Sequence, residues 1–598
     1  MLSRARLDAA FATAHGRLLA ERNPAGHWTG ELAVSALSTA TAIGAFSLST
    51  PSPGDAPLIA GGIRWLAQRQ NDDGGWGDTD RSISNISTTM LVRAAFHLAG
   101  ADSAHGPTLR RSIAYLDARC GAGVRNHAAG IRARYGKDQT FSVPILTTCA
   151  LAGLVDWNEV ARLPFELACF PQAWFRYLQL PVVSYALPAL IALGQAIHQH
   201  RPPWNPVTRT VRHFSRGRSL RVLENIQPTS GGFLEAIPLT SFVVMSLASI
   251  GQSSHPVVVR GLDFLQTAVR PCGGWPIDTN LGTWLTTLSI NALAAAGELD
   301  VLDRRAELRA WLLAQQGQVR HPYTGAEPGA WAWTDLSGGV PDADDTAGAL
   351  LCLSHLDARG GPAIEAGIRW LARLQNRDHG WPTFCRGWGH LPFDRSGADL
   401  TAHALRALAA WLCRNEGTSF LQGDHPLVRR SIRPGLEYLQ RTQRADGSWL
   451  PLWFGSQFAP DDDNPTYGTA RVLLAYSDLG VFNCEPARRG LDWLRSAQNA
   501  DGSWGGATGV AGSIEETSLA LETILAVDPK SAAVGRGLAW LTDAIEAGRL
   551  DSPAPIGFYF AKLWYYERLY PIIFSVAALG RARRYSSLQT SPCESASV

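Results

Sequence analysis

Two apolar patterns recur along the chain. In the first, an aromatic and a Leu follow one another at the end of a helix-period stretch, a Gln stands in the next turn, and a Trp comes six residues later. GIRWLAQRQNDDGGW (62–76), GIRWLARLQNRDHGW (367–381), GLEYLQRTQRADGSW (435–449) and GLDWLRSAQNADGSW (490–504) carry it in full. GLDFLQTAVRPCGGW (261–275) and LLAERNPAGHW (18–28) keep the Trp without the Gln, and GLAWLTDAIEAG (537–548) keeps only the head. The second pattern is a run of apolar and small residues, as in NISTTMLVRAAFHLAG (85–100), TAGALLCLSHL (346–356) and TSLALETILAV (517–527). The first predicts an amphipathic helix closed by a D-G or G-G turn that brings Trp back over it; the second predicts a buried helix. Repeats spaced by about 50 residues hold about two helices each, with no alternating strand runs. The predicted architecture is all-α: helix pairs stacked around a centre, an α/α barrel. The Trp and Gln read as staples of that fold, the Gln amide capping backbone groups of a neighbouring helix.

A length of 598 residues allows several domains, and 46% hydrophobic against 18% charged residues excludes disorder over most of the chain. The net charge of +2 excludes a global field for nucleic acid. Nine scattered Cys form neither a disulfide framework nor a zinc motif, and the first residues lack the apolar core of a signal peptide, so a cytosolic setting is expected. The uncharged runs 177–199 and 279–297 are read as buried helices and not as spans. From 167 to 223 there are seven Arg and no acid, interleaved with Trp174, Phe175, Trp204 and Phe214. That stretch suits either an anionic membrane surface or a solvated Arg face.

Candidate chemistry gathers at Asp342-Ala343-Asp344-Asp345-Thr346, just before an apolar helix. Three carboxyls within four residues repel, which pushes at least one of them to keep its proton. The alternative is that Asp345 and Thr346 cap the helix. In ADLTAHALRALAAWL (398–412), His403 lies beside the apolar stripe of Leu400, Ala404, Leu408 and Trp411. The acidic FAPDDDNP (458–465) reads as a Mg²⁺ cluster for a diphosphate or as a surface loop.

Together, the four Q-x5-W repeats, the D-x-D-D-T-A motif and the later D-x-T-A-H segment, with Asp399, Thr401, Ala402 and His403, resemble the squalene–hopene cyclases and other class II terpene cyclases. The resemblance implies protonation-initiated cyclisation of squalene or a similar linear polyprenoid to a polycyclic, hopene-like product, with no cofactor and no metal. It implies two α/α barrels with the second inserted into the first: a catalytic barrel from 1–29 plus 276–598, and an inserted one, 30–275, with a membrane-facing surface. Carried over, Asp344 is the acid, His403 its partner, and Asp342 and Asp345 support it. Tyr185, Trp284, Trp333, Phe384, Trp453, Tyr467, Tyr559 and Tyr566 offer ring faces to the cations. The expected setting is cytoplasmic, peripheral on the inner face of the membrane, with a homodimer allowed and no nucleic-acid partner.

Elementary chemistry agrees: an alkene is a very weak base, so its donor must be dry and polarised, and the cation is held by ring faces because an anion would trap it. Leu563 falls where the family has a tyrosine, and Lys562 lies beside it. Competing readings are a class II cyclase of a prenyl diphosphate or prenylated aromatic, and a non-catalytic helical-repeat scaffold binding lipid or protein. A zinc-dependent prenyltransferase subunit lacks its ligand set around Cys352 and His355.

Overall fold

The computed structural model describes residues 2–178, 184–322, 324–356, 360–384, 392–413 and 426–590. Gly282–Ala296, Ala343–His355, Ala398–Cys413, Pro465–Asp478, Ile514–Val527 and Tyr570–Thr590 each pack on the next, and the last packs on the first, closing a ring. Arg4–Ala20, Arg305–Ala314, Pro362–Leu374, Pro426–Thr442, Glu485–Ser496 and Ala532–Glu546 lie outside it. A second ring is closed by Ala36–Leu48, Ile86–Leu98, Gln139–Leu151, Leu187–His200 and Ile237–Ala248. The fold is therefore two α/α barrels, with the second interrupting the first. Where the chain crosses between them, Val34–Ser35 and Trp275–Pro276 pair as antiparallel strands.

The two helix classes follow from the two apolar patterns. Inner helices such as Ala36–Leu48 (ALSTATAIGAFSL) are buried on nearly every face and rich in Ala, Ser, Thr and Gly, which lets them approach closely. Outer helices such as Glu485–Ser496 bury Ala487, Gly490, Leu491 and Leu494 on one stripe. A three-stranded antiparallel sheet, Phe454–Gly455, Ile556–Phe558 and Leu563–Tyr565, was not expected; strands of two and three residues are too short to show alternation.

The repeat is a hydrogen-bonded clip between neighbouring helix pairs. Trp449 donates its indole N–H to the Leu439 carbonyl at 2.6 Å, and its backbone N–H to Thr469 Oγ1 of the inner helix at 3.0 Å. Gln443 donates both amide hydrogens, to the Gly447 carbonyl of its own turn and to the Pro486 carbonyl in the next outer helix, each at 2.8 Å. The same bonds recur at Trp76 with Gln70, Trp381 with Gln375, and Trp504 with Gln498. In four repeats of the larger ring the opening Gly makes room for the previous clip Trp: a Cβ on Gly367 would stand 2.8 Å from Trp331 Cζ3, one on Gly435 3.0 Å from Trp381 Cζ3, one on Gly490 2.5 Å from Trp449 Cζ3, and one on Gly537 2.7 Å from Trp504 Cζ3. Two further clips escape the sequence pattern. Gln227 is followed by Phe233 in place of Trp, and Gln316 is separated from Trp331 by an insertion, yet both Gln residues bridge two carbonyls.

The segment from 167 to 223 differs from its charge pattern. Arg212 is buried, 3.0 Å from Glu166 and over the Phe165 ring, so it is not part of a surface. Large apolar side chains are exposed there beside Arg209, Arg218 and Arg221: Tyr177 (86%), Trp204 (96%) and Phe214 (78%), with Trp174, Val207 and Val211. Val207, Val211 and Phe214 share one face of Pro206–Ile226. No helix among the described residues is long and apolar enough to cross a membrane.

The clip predicts two stability losses. Gly490→Ala forces a methyl against the Trp449 indole, an overpacking cost of about 1–3 kcal/mol. Gln443→Leu leaves two carbonyls unpaired, at about 1–3 kcal/mol for each that stays dry. Thermal unfolding should show Tm several degrees lower in each; an unchanged Tm in both would mean that the clip is dispensable.

Candidate active site

A cavity of about 260 Å³, largely apolar, opens between the barrels and takes its wall from both. Asp342, Asp344 and Asp345 border one part of it, and Trp284, Trp333, Phe384, Trp453 and Tyr185 line the rest together with further aromatics.

The acidic motif divides its labour by backbone position. Asp342 is the N-cap of Ala343–His355, its Oδ1 accepting the Asp345 N–H at 2.8 Å. The cap is thus Asp342, and not Asp345 or Thr346. Thr346 belongs to a clip, its Oγ1 accepting the Trp331 N–H at 3.1 Å. Asp344, in the first turn, faces the neighbouring inner helix, where its Oδ1 lies 2.5 Å from His403 Nδ1.

The surroundings hold negative charge down. Burial pushes Asp342 up to about 7, against the hydrogen bonds from Asp345 that favour its charged form. Burial, and then the Asp342 charge, push Asp345 well up, and its Oδ1 has no hydrogen-bond partner. Asp399, one turn before His403, is pushed up to about 7 by burial and then by Asp344; its Oδ1 accepts the Leu452 N–H at 2.8 Å. Burial lowers His403, outweighing the pull of Asp344, so the imidazole is held neutral. Three carboxyls whose charged forms are disfavoured and a neutral imidazole thus surround the one carboxyl that reaches His403. The signal for Asp399 in the sequence is its spacing of four from His403, which puts both on one face of the helix.

The aromatic wall is continuous. Trp284 stands edge-on to His403 with centroids 6.2 Å apart, and its N–H donates to the Tyr570 hydroxyl at 3.1 Å. Trp333 donates to Asp278 Oδ2 at 3.1 Å, and Trp453 to Thr383 Oγ1 at 2.8 Å, so each indole is fixed in orientation. Phe384 joins them, 6.1 Å from Trp333, 6.2 Å from Trp453 and 5.7 Å from Tyr185.

Two expected aromatics lie elsewhere. Tyr467 sits behind Phe454, 4.6 Å away, and faces a separate polar cavity. Tyr566 donates its hydroxyl to Asp80 at 2.9 Å and lies under the Arg81 guanidinium, outside the apolar cavity. The strand Leu563–Tyr565 explains this, because residues alternate across it: Leu563 and Tyr565 reach the cavity, and Tyr566 falls past its end. The Tyr559 side chain lies outside the described residues. Phe393, Phe454, Phe558, Tyr565 and Tyr570 also line the cavity. They stand in loops, short strands and a helix start, where no period marks a side chain as inward.

The acidic loop holds ion pairs: Asp462 binds the Lys562 ammonium, and Asp463 lies 3.1 Å from Arg444. Among the described residues, no cluster of His, Cys, Asp and Glu could hold a metal ion.

Residues 280–584 match the family model described as the squalene-hopene cyclase C-terminal domain, and residues 11–203 match the N-terminal domain. The chain is 24% identical to a probable squalene–hopene cyclase of Sinorhizobium fredii over 98% of both proteins. It is 25% identical to the squalene–hopene cyclase of Bradyrhizobium diazoefficiens, covering 83% of this chain and 81% of that one. An enfumafungin synthase from Hormonema carpetanum is also 25% identical, but this chain spans only 46% of it. Among solved structures, an ent-copalyl diphosphate synthase from Streptomyces platensis shares the fold, with a TM-score of 0.60 at 19% identity over 97% of this chain and 99% of that one. Both halves of one family are matched, the C-terminal half alone over half of the 598 residues, and the chain belongs to the squalene–hopene cyclase family of class II terpene cyclases.

Proposed function

We propose that Asp344 protonates the terminal double bond of squalene or a similar linear polyprenoid, and that the resulting cation closes rings along the aromatic wall to a hopene-like polycycle. The observation that carries this reading is the Asp344–His403 contact on an otherwise aromatic cavity. In the initiating step the Asp344 O–H bond breaks, a C–H bond forms, and the tertiary carbon left behind carries the charge. Neutral His403, hydrogen-bonded to the same carboxyl, orients it and steadies the carboxylate that remains. Trp284, Trp333, Phe384 and Trp453 then offer ring faces, each worth about 2 kcal/mol or more to a desolvated cation. None of the described residues lining this cavity is Lys or Arg, and Lys562 is engaged with Asp462, which disfavours a prenyl diphosphate. Residues 1–29 with 276–598 as the catalytic barrel, and 30–275 as the inserted one, belong to the same proposal.

Delivery is assigned to the exposed apolar face around Trp204 and Phe214, resting on one leaflet of a membrane without crossing it. Burying one such ring is worth about 1.5–3 kcal/mol, and the term does not fade with salt. Arg216 and Arg218 add only a screened attraction.

Incubating the purified protein with squalene, geranylgeranyl diphosphate and a prenylated phenol, and reading the products by mass, identifies the substrate; no cyclised product from any of them would favour the scaffold. Asp344→Asn keeps the shape and removes the proton, so turnover should vanish in a folded protein. His403→Ala should lower kcat by about two to four powers of ten, and less on an epoxide, which opens more easily. Trp333→Leu and Phe384→Leu should release partly cyclised products, whereas Tyr566→Phe should leave the product spectrum unchanged; slower turnover with one unaltered product would make the two rings mere packing. In vesicle sedimentation, Trp204→Ser with Phe214→Ser should weaken binding at every salt concentration, more than Arg216→Gln with Arg218→Gln does at low salt. Equal or smaller loss from the apolar pair would remove this face as the anchor.

A further inference from the structure

A second cavity, of about 360 Å³, shares Asp344 and Trp284 with the first but is otherwise walled by inner helices of the six-helix ring. Its charged groups are mostly matched. Arg406 lies 2.6 Å from Asp478, Arg581 lies 3.5 Å from Glu522, and Arg584 donates to the Ala295 carbonyl. Arg471, on Pro465–Asp478, is the exception: its guanidinium stacks over the Tyr467 and Phe574 rings at 4.9 and 5.4 Å, while its buried Nε and Nη2 have no hydrogen-bond partner. Burial works against its charge, but Tyr467, Glu522 and Asp344 outweigh it. An under-satisfied buried cation destabilises a fold, so its presence here calls for a use.

We propose that Arg471 is a positioning residue, the counter-charge for the carboxylate that Asp344 becomes on giving up its proton. When the O–H electron pair stays on Asp344 and the proton joins the alkene carbon, the cation moves off along the aromatic wall and leaves a negative charge in a dry site. The neighbouring carboxyls Asp342, Asp345 and Asp399 cannot offset that charge, and neutral His403 offers only a hydrogen bond. Arg406 and Arg581 already face acids. Arg471 stands in this cavity without an acid at ion-pair distance among the described residues, with two buried donor atoms unmatched; Asp344 helps to raise it, and its charge helps to lower His403. This inference rests on Asp344 being the acid.

Arg471→Met keeps the packing over the two rings and removes the charge. On whichever of squalene and geranylgeranyl diphosphate is turned over, kcat should fall about ten- to a hundredfold, the size of one charge acting at partly buried range. KM should stay within about twofold, since neutral substrate does not feel the charge. Tm should hold or rise, because the under-satisfied cation is gone. Arg471→Lys should recover most of the rate, and guanidinium at sub-denaturing concentration, but not urea, should partly restore Arg471→Ala. A kcat near that of the wild type in Arg471→Met overturns the proposal, and so does a loss that comes with a lowered Tm and is shared by Arg471→Lys. Should the Met variant not fold, the difference between guanidinium and urea on Arg471→Ala decides. Activity in Asp344→Asn would instead remove the acid assignment itself.

Discussion

The Asp344–His403 contact joins two neighbouring inner helices at the point where an apolar and a polar cavity meet. With Asp344 as the proposed acid, its surroundings answer to the difficulty of protonating an alkene. The donor must be dry, and a dry carboxyl among carboxyls raises the cost of every negative charge nearby. Asp342 and Asp399, both pushed up to about 7, and Asp345, also pushed well up, are the visible result. Burial, more than mutual repulsion, is the leading cause in all three, so the barrel that excludes water does more for the acid than the density of acidic residues in the motif.

Keeping such a site open requires a scaffold that does not collapse into it. Inner helices of small residues could slide and close the space. The clips prevent this from outside: each Trp ties its own outer helix to an inner Thr, and each Gln reaches the first residues of the next outer helix. Thr346 and Thr401 take part in clips while sitting within two residues of Asp344 and His403, so the scaffold and the chemistry share the same turns. A shift in ring packing is thereby transmitted to the acid, and a well-clipped ring holds it still.

Aromatic side chains serve two purposes that composition alone merges. The clip indoles of Trp76, Trp381, Trp449 and Trp504 are fully buried and spend their N–H on helix carbonyls. The cavity indoles of Trp284, Trp333 and Trp453 are held by side-chain partners, Tyr570, Asp278 and Thr383. The clip indoles thus bond their own outer helix, whereas these three cavity indoles are oriented by polar side chains of other elements.

The sequence by itself determined the helical repeat and an α/α barrel, and it marked Asp344 and His403 as candidates, because these are written locally: a Gln six residues before a Trp, a D-x-D-D-T at a helix start, an Asp and a His one turn apart. The double barrel and the roles of the pair came from the resemblance that these motifs carry. Tertiary structure decided the rest. Which rings face the cavity depends on loops and two- or three-residue strands without a period, so Tyr467 and Tyr566 turned away while Phe393, Phe454, Phe558, Tyr565 and Tyr570 turned in. Arg212 looked like surface charge, and Glu166, one residue before the acid-free stretch, took it inside. Arg471 reads along the chain as one cation among many; only ring closure, which brings the fourth inner helix beside the second and third through a common cavity, sets it near Asp344.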